Sequence, residues 1–312
     1  MKVIVISGPT ASGKTDISIE LAREFGGEVV NFDSLVLYKE ITIGTAKPTP
    51  EEQGEIPHHM VGVTSIGQPL NAADYARIAL PIVQKLLNEK KLVYLVGGSG
   101  FYLQALVKGM YDSPTTKPEI TQRSDKLYLE SGIKPFLEIL KEVDLPSFER
   151  YHENDHYRVR RAVEHFWNNG TPLSGERTRK DQENEAREES NIHGWDLLHL
   201  HLDMPREEHF EIIKKRTARM LKSGLIEEVD HLLQQGFTGD EKPLQSIGYK
   251  EVLELKSGLI ESLEACEERI NISTRQLAKS QRTWFNRLLE KHTFHPLNQR
   301  SLISETLRKF LA

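Results

Sequence analysis

Apolar residues in this chain recur with two different periods, and the alternation between them lays out the fold. Val3, Ile4, Val5 and Ile6 form a continuous apolar run that ends one residue short of Gly8, which reads as a strand over 2–7 buried on both faces. Ile17, Leu21 and Phe25 follow at helical spacing and predict a helix over 14–25. Further strands are expected near 28–32, 58–62, 92–96 and 196–203, with a helix near 71–90. Strands alternating with helices in this way give an α/β protein, a parallel sheet core flanked by helices. The pattern changes at residue 112, where 112–118 reads as a linker. Short helices are then expected near 119–130, 134–142, 146–151 and 155–168, the last marked by Val159, Ala162, Val163 and Phe166. Thr171-Pro172 and Ser174-Gly175 break that run, and the acidic stretch 183–189 reads as an exposed helix face or loop. The alternation from Trp195 to Asp203 returns the chain to the sheet, and helices resume at Pro205 with Asp203 as cap. The expected organisation is a core of 1–111 and 196–312 with an all-helical lobe, 112–195, inserted into it.

The first strand runs straight into Gly8, Pro9, Thr10, Ala11, Ser12, Gly13, Lys14 and Thr15, the G-x-x-x-x-G-K-[ST] pattern of a P-loop. Its glycines let backbone N–H groups turn inward, and the following helix N-terminus adds partial positive charge, so the loop holds a phosphate or diphosphate. Lys14 reaches terminal phosphate oxygens, and the Thr15 hydroxyl can ligate Mg²⁺. The second strand ends in Asp33-Ser34, placing a carboxylate at the edge where open α/β sheets bind ligands. The strand at 92–96 runs instead into Gly97-Gly-Ser-Gly100, with no acid at its tip. A phosphate loop beside a lone carboxylate favours group transfer, with Asp33 as general base toward an acceptor. These residues alone leave open a small-molecule kinase and an RNA-binding protein that uses the loop as a nucleotide sensor.

Several blocks fall in order: residues 8–15, Asp33-Ser34 with Tyr38, Ile43 to Pro48, Gly97 to Tyr102, Asn154-Asp155 with Arg158 and Arg161, Ile247 to Glu251, Thr274 to Lys279, and Gln281 to Phe285. Together they make the chain resemble the bacterial tRNA dimethylallyltransferases, also called tRNA isopentenyltransferases, from the first strand to about residue 287. The resemblance implies transfer of a dimethylallyl group from dimethylallyl diphosphate, with Mg²⁺, to N6 of adenosine 37 beside the anticodon. It implies that Thr10 assists the leaving oxygen, that Arg206 and Arg216 clamp the diphosphate, and that Thr15 holds the metal. It further implies contacts with the tRNA anticodon stem-loop at Asp33, Ser34, Leu35, Val36, Ser99, Arg123, Arg158, Arg161, Gly248, Tyr249, Lys250, Lys279 and Arg282. Ser99 stands where the family usually has Thr, Leu35-Val36 replaces a more polar pair, and Ile212 stands where many members have Arg. An adenylate-prenylating relative is disfavoured by the inserted lobe and the basic C-terminal helix.

Composition refines this picture only slightly. A net charge of −5 is unusual for a nucleic-acid binder, yet cations cluster at 158–161, 214–219 and 269–291. No apolar run approaches the ~20 residues of a membrane span. A single cysteine, Cys266, permits no internal disulfide, which suits a cytoplasmic protein. His58-His59 is not expected to bind metal, because neighbours on a strand face opposite ways. A monomer is expected.

Overall fold

The computed structural model describes residues 1–45, 47–109, 116–185, 193–288 and 290–312. The chain divides into two compact units, one of Met1–Val107 and His193–Ala312, the other of Lys108–Ile192.

In the first unit, β1 (Lys2–Ser7) leads into α1 (Lys14–Phe25), β2 (Glu28–Asn31), α2 (Pro50–Gln53), β3 (His58–His59), α3 (Ala72–Asn88), β4 (Val93–Gly97) and α4 (Gly100–Lys108). After the second unit, β5 (Asp196–Leu202), α10 (Arg206–Lys222), α11 (Leu225–Gln234), α12 (Tyr249–Lys256), α13 (Leu263–Leu288), β6 (His292–Phe294) and α14 (Arg300–Leu311) complete it. The strands form one sheet in the order β3-β2-β4-β1-β5-β6, with every pairing parallel. β1 lies between β4 and β5, so the loop that follows it leaves from the middle of the sheet.

The apolar positions behave as their spacing requires. Ile4, Ile6, Ile17, Leu21, Val96, Leu200 and Leu202 form a core between the sheet and α1, closed by Ile303 and Leu307 of α14. Each such side chain stabilises the fold by roughly 1.5–3 kcal/mol when fully withdrawn from water. A second cluster joins Tyr38 and Ile41 to Leu225, Val229, Tyr249, Val252, Cys266 and Ile270, packing the 35–45 segment against α11, α12 and α13.

The second unit contains α5 (Pro118–Ser131), α6 (Lys134–Val143), α7 (Leu145–Arg150), α8 (His156–Asn169) and α9 (Leu173–Glu185). Phe136, Leu140, Val159, Ala162, Val163 and Leu173 make its core. Most of the linker 112–118 and the acidic residues 186–189 lie outside the described residues.

The structure departs from the expectations in four places. The strand near 58–62 stops after His59, because Met60 and Gly62 adopt φ of 60° and 59° and turn the chain away. The helix near 155–168 does end at Asn169, but Ser174 and Gly175 then sit in the first turn of a further helix, α9, where the Ser174 N–H is taken by Asp144 Oδ2 at 3.0 Å. Asp203 does not cap α10: Pro205 occupies the cap position without a side-chain bond, and the Asp203 carboxylate accepts from Arg282 instead. β6 and α14 were not anticipated; β6 has three residues, of which only Phe294 is buried, so it carries almost no alternation to read.

Candidate active site

The P-loop is shaped by close approach. A Cβ on Gly8 would lie 2.5 Å from the Leu202 carbonyl oxygen, so only glycine lets the chain pass this close to β5. Ala11 adopts φ of 62°, a left-handed conformation that costs about 1–2 kcal/mol and is held by the surrounding turn. Lys14 folds back over the loop, donating to the Gly8 carbonyl at 3.1 Å and the Pro9 carbonyl at 2.8 Å. Burial brings its pKa down from 10.5 to about 8; Asp33 opposes that shift and Arg216 adds to it.

Asp33 stands at the tip of β2 within a frame built by Asn31. The Asn31 amide donates to the Asp33 carbonyl at 3.1 Å and accepts the Asp33 N–H at 3.2 Å. Asn31 also donates to the Met60 carbonyl at 3.2 Å, and its own carbonyl accepts the Tyr75 hydroxyl at 2.9 Å. Asp33 Oδ1 accepts the Leu35 N–H at 3.2 Å. On the neighbouring strand tip, Ser99 Oγ accepts the Ser34 N–H at 3.0 Å. The Ser at position 99 therefore still supplies the hydroxyl that joins the two strand ends.

Two cavities meet at this edge. The smaller, about 80 Å³, is lined by Lys14, Thr15, Ser18, Asn31, Val36 and His58, among others. The larger, about 390 Å³, is mostly apolar: Leu35, Phe101, Met220, Ile247, Ile270, Leu277 and Trp284 contribute, with Ser34, Ser99 and Gln281. Thr10, Asp33, Thr45 and Arg216 line both. Arg216 donates to the Thr45 carbonyl at 3.4 Å, and burial lowers its pKa against the opposing pull of Asp33. A cationic, loop-lined pocket thus opens through a wall of Thr10, Asp33 and Arg216 into an apolar one.

The sequence-derived candidates separate on inspection. Thr10, Ala11, Lys14, Thr15, Asp33, Ser34, Leu35, Val36, Ser99 and Arg216 line the cavities, while Gly8, Pro9, Ser12 and Gly13 complete the loop without lining either. Arg206 does not; it is exposed in the first turn of α10 and lines neither cavity. Tyr249 and Gly248 are buried, and the Tyr249 hydroxyl is engaged by Glu228 at 2.6 Å, so that ring is no surface contact. Lys250 and Lys279 are exposed. Arg282 is only 15% exposed: it donates to Asp203 Oδ1 at 2.7 Å and to His209 Nδ1 at 2.8 Å, an internal brace rather than a surface cation. In the second unit Arg158 is exposed beside Asp155, Arg123 stacks on the Trp167 ring at 3.9 Å, and Arg161 donates to Thr116 Oγ1. His58 lines the small cavity while His59 turns to Glu28 at 2.6 Å, so the two do face apart.

Five neighbours of the site went unassigned in sequence. Asn31 was read only as strand, and Glu228 and His209 carry no local signal. Gln281 and Trp284 belong to a block that was noticed, without a role.

Thr15 and Asp33 offer a hydroxyl and a carboxylate on the small cavity. That oxygen-only donor set fits Mg²⁺, which takes one or two carboxylates and completes its shell from phosphate and water.

Residues 36–288 match the family model described as IPP transferase. A tRNA dimethylallyltransferase 2 of Geotalea daltonii is 38% identical over 287 residues, 92% of this chain and 85% of that protein. A tRNA delta(2)-isopentenylpyrophosphate transferase from Staphylococcus epidermidis has a crystal structure that superposes with a TM-score of 0.69 at 32% identity, covering 99% of this chain and 98% of that one. A eukaryotic dimethylallyltransferase, captured acting on tRNA, gives a TM-score of 0.78 at 28% identity over 100% of this chain and 78% of its own.

Proposed function

The chain belongs to the IPP transferase family, and from that premise we propose that it transfers a dimethylallyl group from dimethylallyl diphosphate to N6 of adenosine 37 in tRNA. The observation that carries this reading is the shared wall: Thr10, Asp33 and Arg216 border both the phosphate pocket and the apolar one. The family supports this over the small-molecule kinase that the loop and Asp33 alone leave open.

The diphosphate rests on the P-loop amides, with Lys14 and Arg216 neutralising charge that grows on the leaving group. Thr10 offers its hydroxyl to the oxygen bridging the allyl group and the diphosphate. Asp33, steadied by Asn31, accepts a hydrogen bond from the exocyclic amine and takes its proton as nitrogen attacks the allylic carbon. The apolar cavity shelters the allyl group and the adenine, which must leave its stack to enter. Mg²⁺, held by the Thr15 hydroxyl, would add further neutralisation of the diphosphate. Lys279, Arg158, Arg123 and Arg161 serve tRNA, the last three from the helical unit. The enzyme works as a cytoplasmic monomer in this reading. Among the described residues no helix is long and apolar enough to cross a membrane.

Incubation with labelled dimethylallyl diphosphate, Mg²⁺ and unmodified tRNA tests the proposal. Label is expected on N6 of adenosine 37, with release of diphosphate. ATP-dependent phosphorylation of a small alcohol, without prenylated tRNA, would overturn it.

A further inference from the structure

The Thr10 backbone is held at both its N–H and its carbonyl, by Gln281 of α13 and by His209 of α10, which Arg282 of α13 backs. Its N–H donates to Gln281 Oε1 at 2.8 Å. Its carbonyl accepts from His209 Nε2 at 2.8 Å, and His209 Nδ1 accepts from Arg282 at 2.8 Å. These two bonds fix the imidazole as the neutral Nε2–H tautomer, since Arg282 can only donate. Asp203 holds the other side of Arg282 at 2.7 Å. Gln281 also donates from Nε2 to the Gly98 carbonyl at 3.0 Å. One partner is a donor and the other an acceptor, so the amide has a single satisfactory orientation. A Cβ on Gly98 would lie 2.5 Å from Gln281 Nε2, so a side chain there would push the amide off this bond.

The Thr10 amide is committed to Gln281 of α13. What this gains is a fixed direction for the Thr10 side chain, which borders both cavities. We propose that Gln281, backed by the Arg282–His209 pair, is a positioning residue for transfer: it sets the Thr10 hydroxyl against Asp33 rather than binding either substrate. The inference rests on the functional reading above. It also assigns α13 a second task, joining the donor loop to the β4 tip beside the acceptor cavity.

Gln281→Met keeps the length and removes both hydrogen bonds. Misplacing a reacting group by ~1 Å can cost about 10²-fold, so kcat is expected to fall by roughly 10–10²-fold, with KM for donor and for tRNA changed by less than about threefold. In a Thr10→Ala background the same substitution should cost no more than about threefold further, because the group it positions is gone. Gln281→Asn, one methylene short of both partners, is measured alongside in case the first variant folds poorly. A kcat within about twofold of wild type, a loss confined to donor KM, or full multiplication of the two single losses would each overturn the inference. A wild-type enzyme that transfers nothing to tRNA overturns the functional reading instead.

Discussion

The Tyr249 hydroxyl donates to Glu228 Oε2 at 2.6 Å and accepts the Gly44 N–H at 3.0 Å. The same carboxylate receives the backbone N–H groups of Thr42 at 2.7 Å and Ile43 at 3.0 Å. A surface-looking glutamate on α11 and a buried tyrosine on α12 therefore fasten the segment that ends in Thr45, whose carbonyl meets Arg216 on the cavity wall.

Tyr249→Phe keeps the ring and removes the link to a charged acceptor, worth about 1.5–3 kcal/mol. Urea denaturation should register a loss in that range, while tRNA affinity stays unchanged. Weaker tRNA binding at unaltered stability would return Tyr249 to the RNA surface.

Asp33→Asn retains shape and can still orient the adenine amine, but cannot accept its proton. Single-turnover transfer should slow by ~10²–10⁴-fold, with substrate affinities little changed. If donor affinity drops with the rate and extra Mg²⁺ restores both, Asp33 serves the metal instead.

Lys14 gives a pH signature with a definite sign. Its folded pKa of about 8 lies below the ordinary 10.5, so between those values the unfolded chain holds more protons and stability rises with pH. Donor binding behaves oppositely, because diphosphate favours the charged lysine. Affinity should weaken as pH climbs past about 8, and binding there should take up a proton. Calorimetry in two buffers of different ionisation enthalpy reads that uptake; identical heats would place the Lys14 pKa outside this window.

Lys279 and Arg282 should part company in a salt titration. Lys279→Ala is expected to shallow the dependence of log K on log salt by about one unit. Arg282→Ala should leave the slope alone and lower kcat, since it undoes the brace on His209. A shallower slope with Arg282→Ala would mean that this guanidinium reaches phosphate after all.

The donor loop was legible because its chemistry is local: eight consecutive residues after an apolar strand specify a turn, a helix start and an anion site. Asp33 was legible for a similar reason, as the first charge beyond a buried strand. Arg282 was not, because a cation on a helix says nothing of the carboxylate 79 positions away that neutralises it. Tyr249 was misplaced likewise: its burial depends on α11 and the 42–45 turn arriving from elsewhere. Ser174-Gly175 looked like a break because the Asp144 carboxylate that supports that turn lies 30 residues upstream.

The Thr10–Gln281 bond spans 271 positions. A growing chain that has completed the phosphate loop, β2 and β4 has the loop that cradles a diphosphate, yet lacks Arg216 and the helix that turns Thr10 into place. It also lacks β5, the partner that β1 needs on its other edge. Contacts this distant form late and at high entropic cost. The protein is thereby kept from reaching chemical competence in stages: a polypeptide halted before α13 would present the loop without its working geometry, and an allylic diphosphate would meet a grip but no reaction.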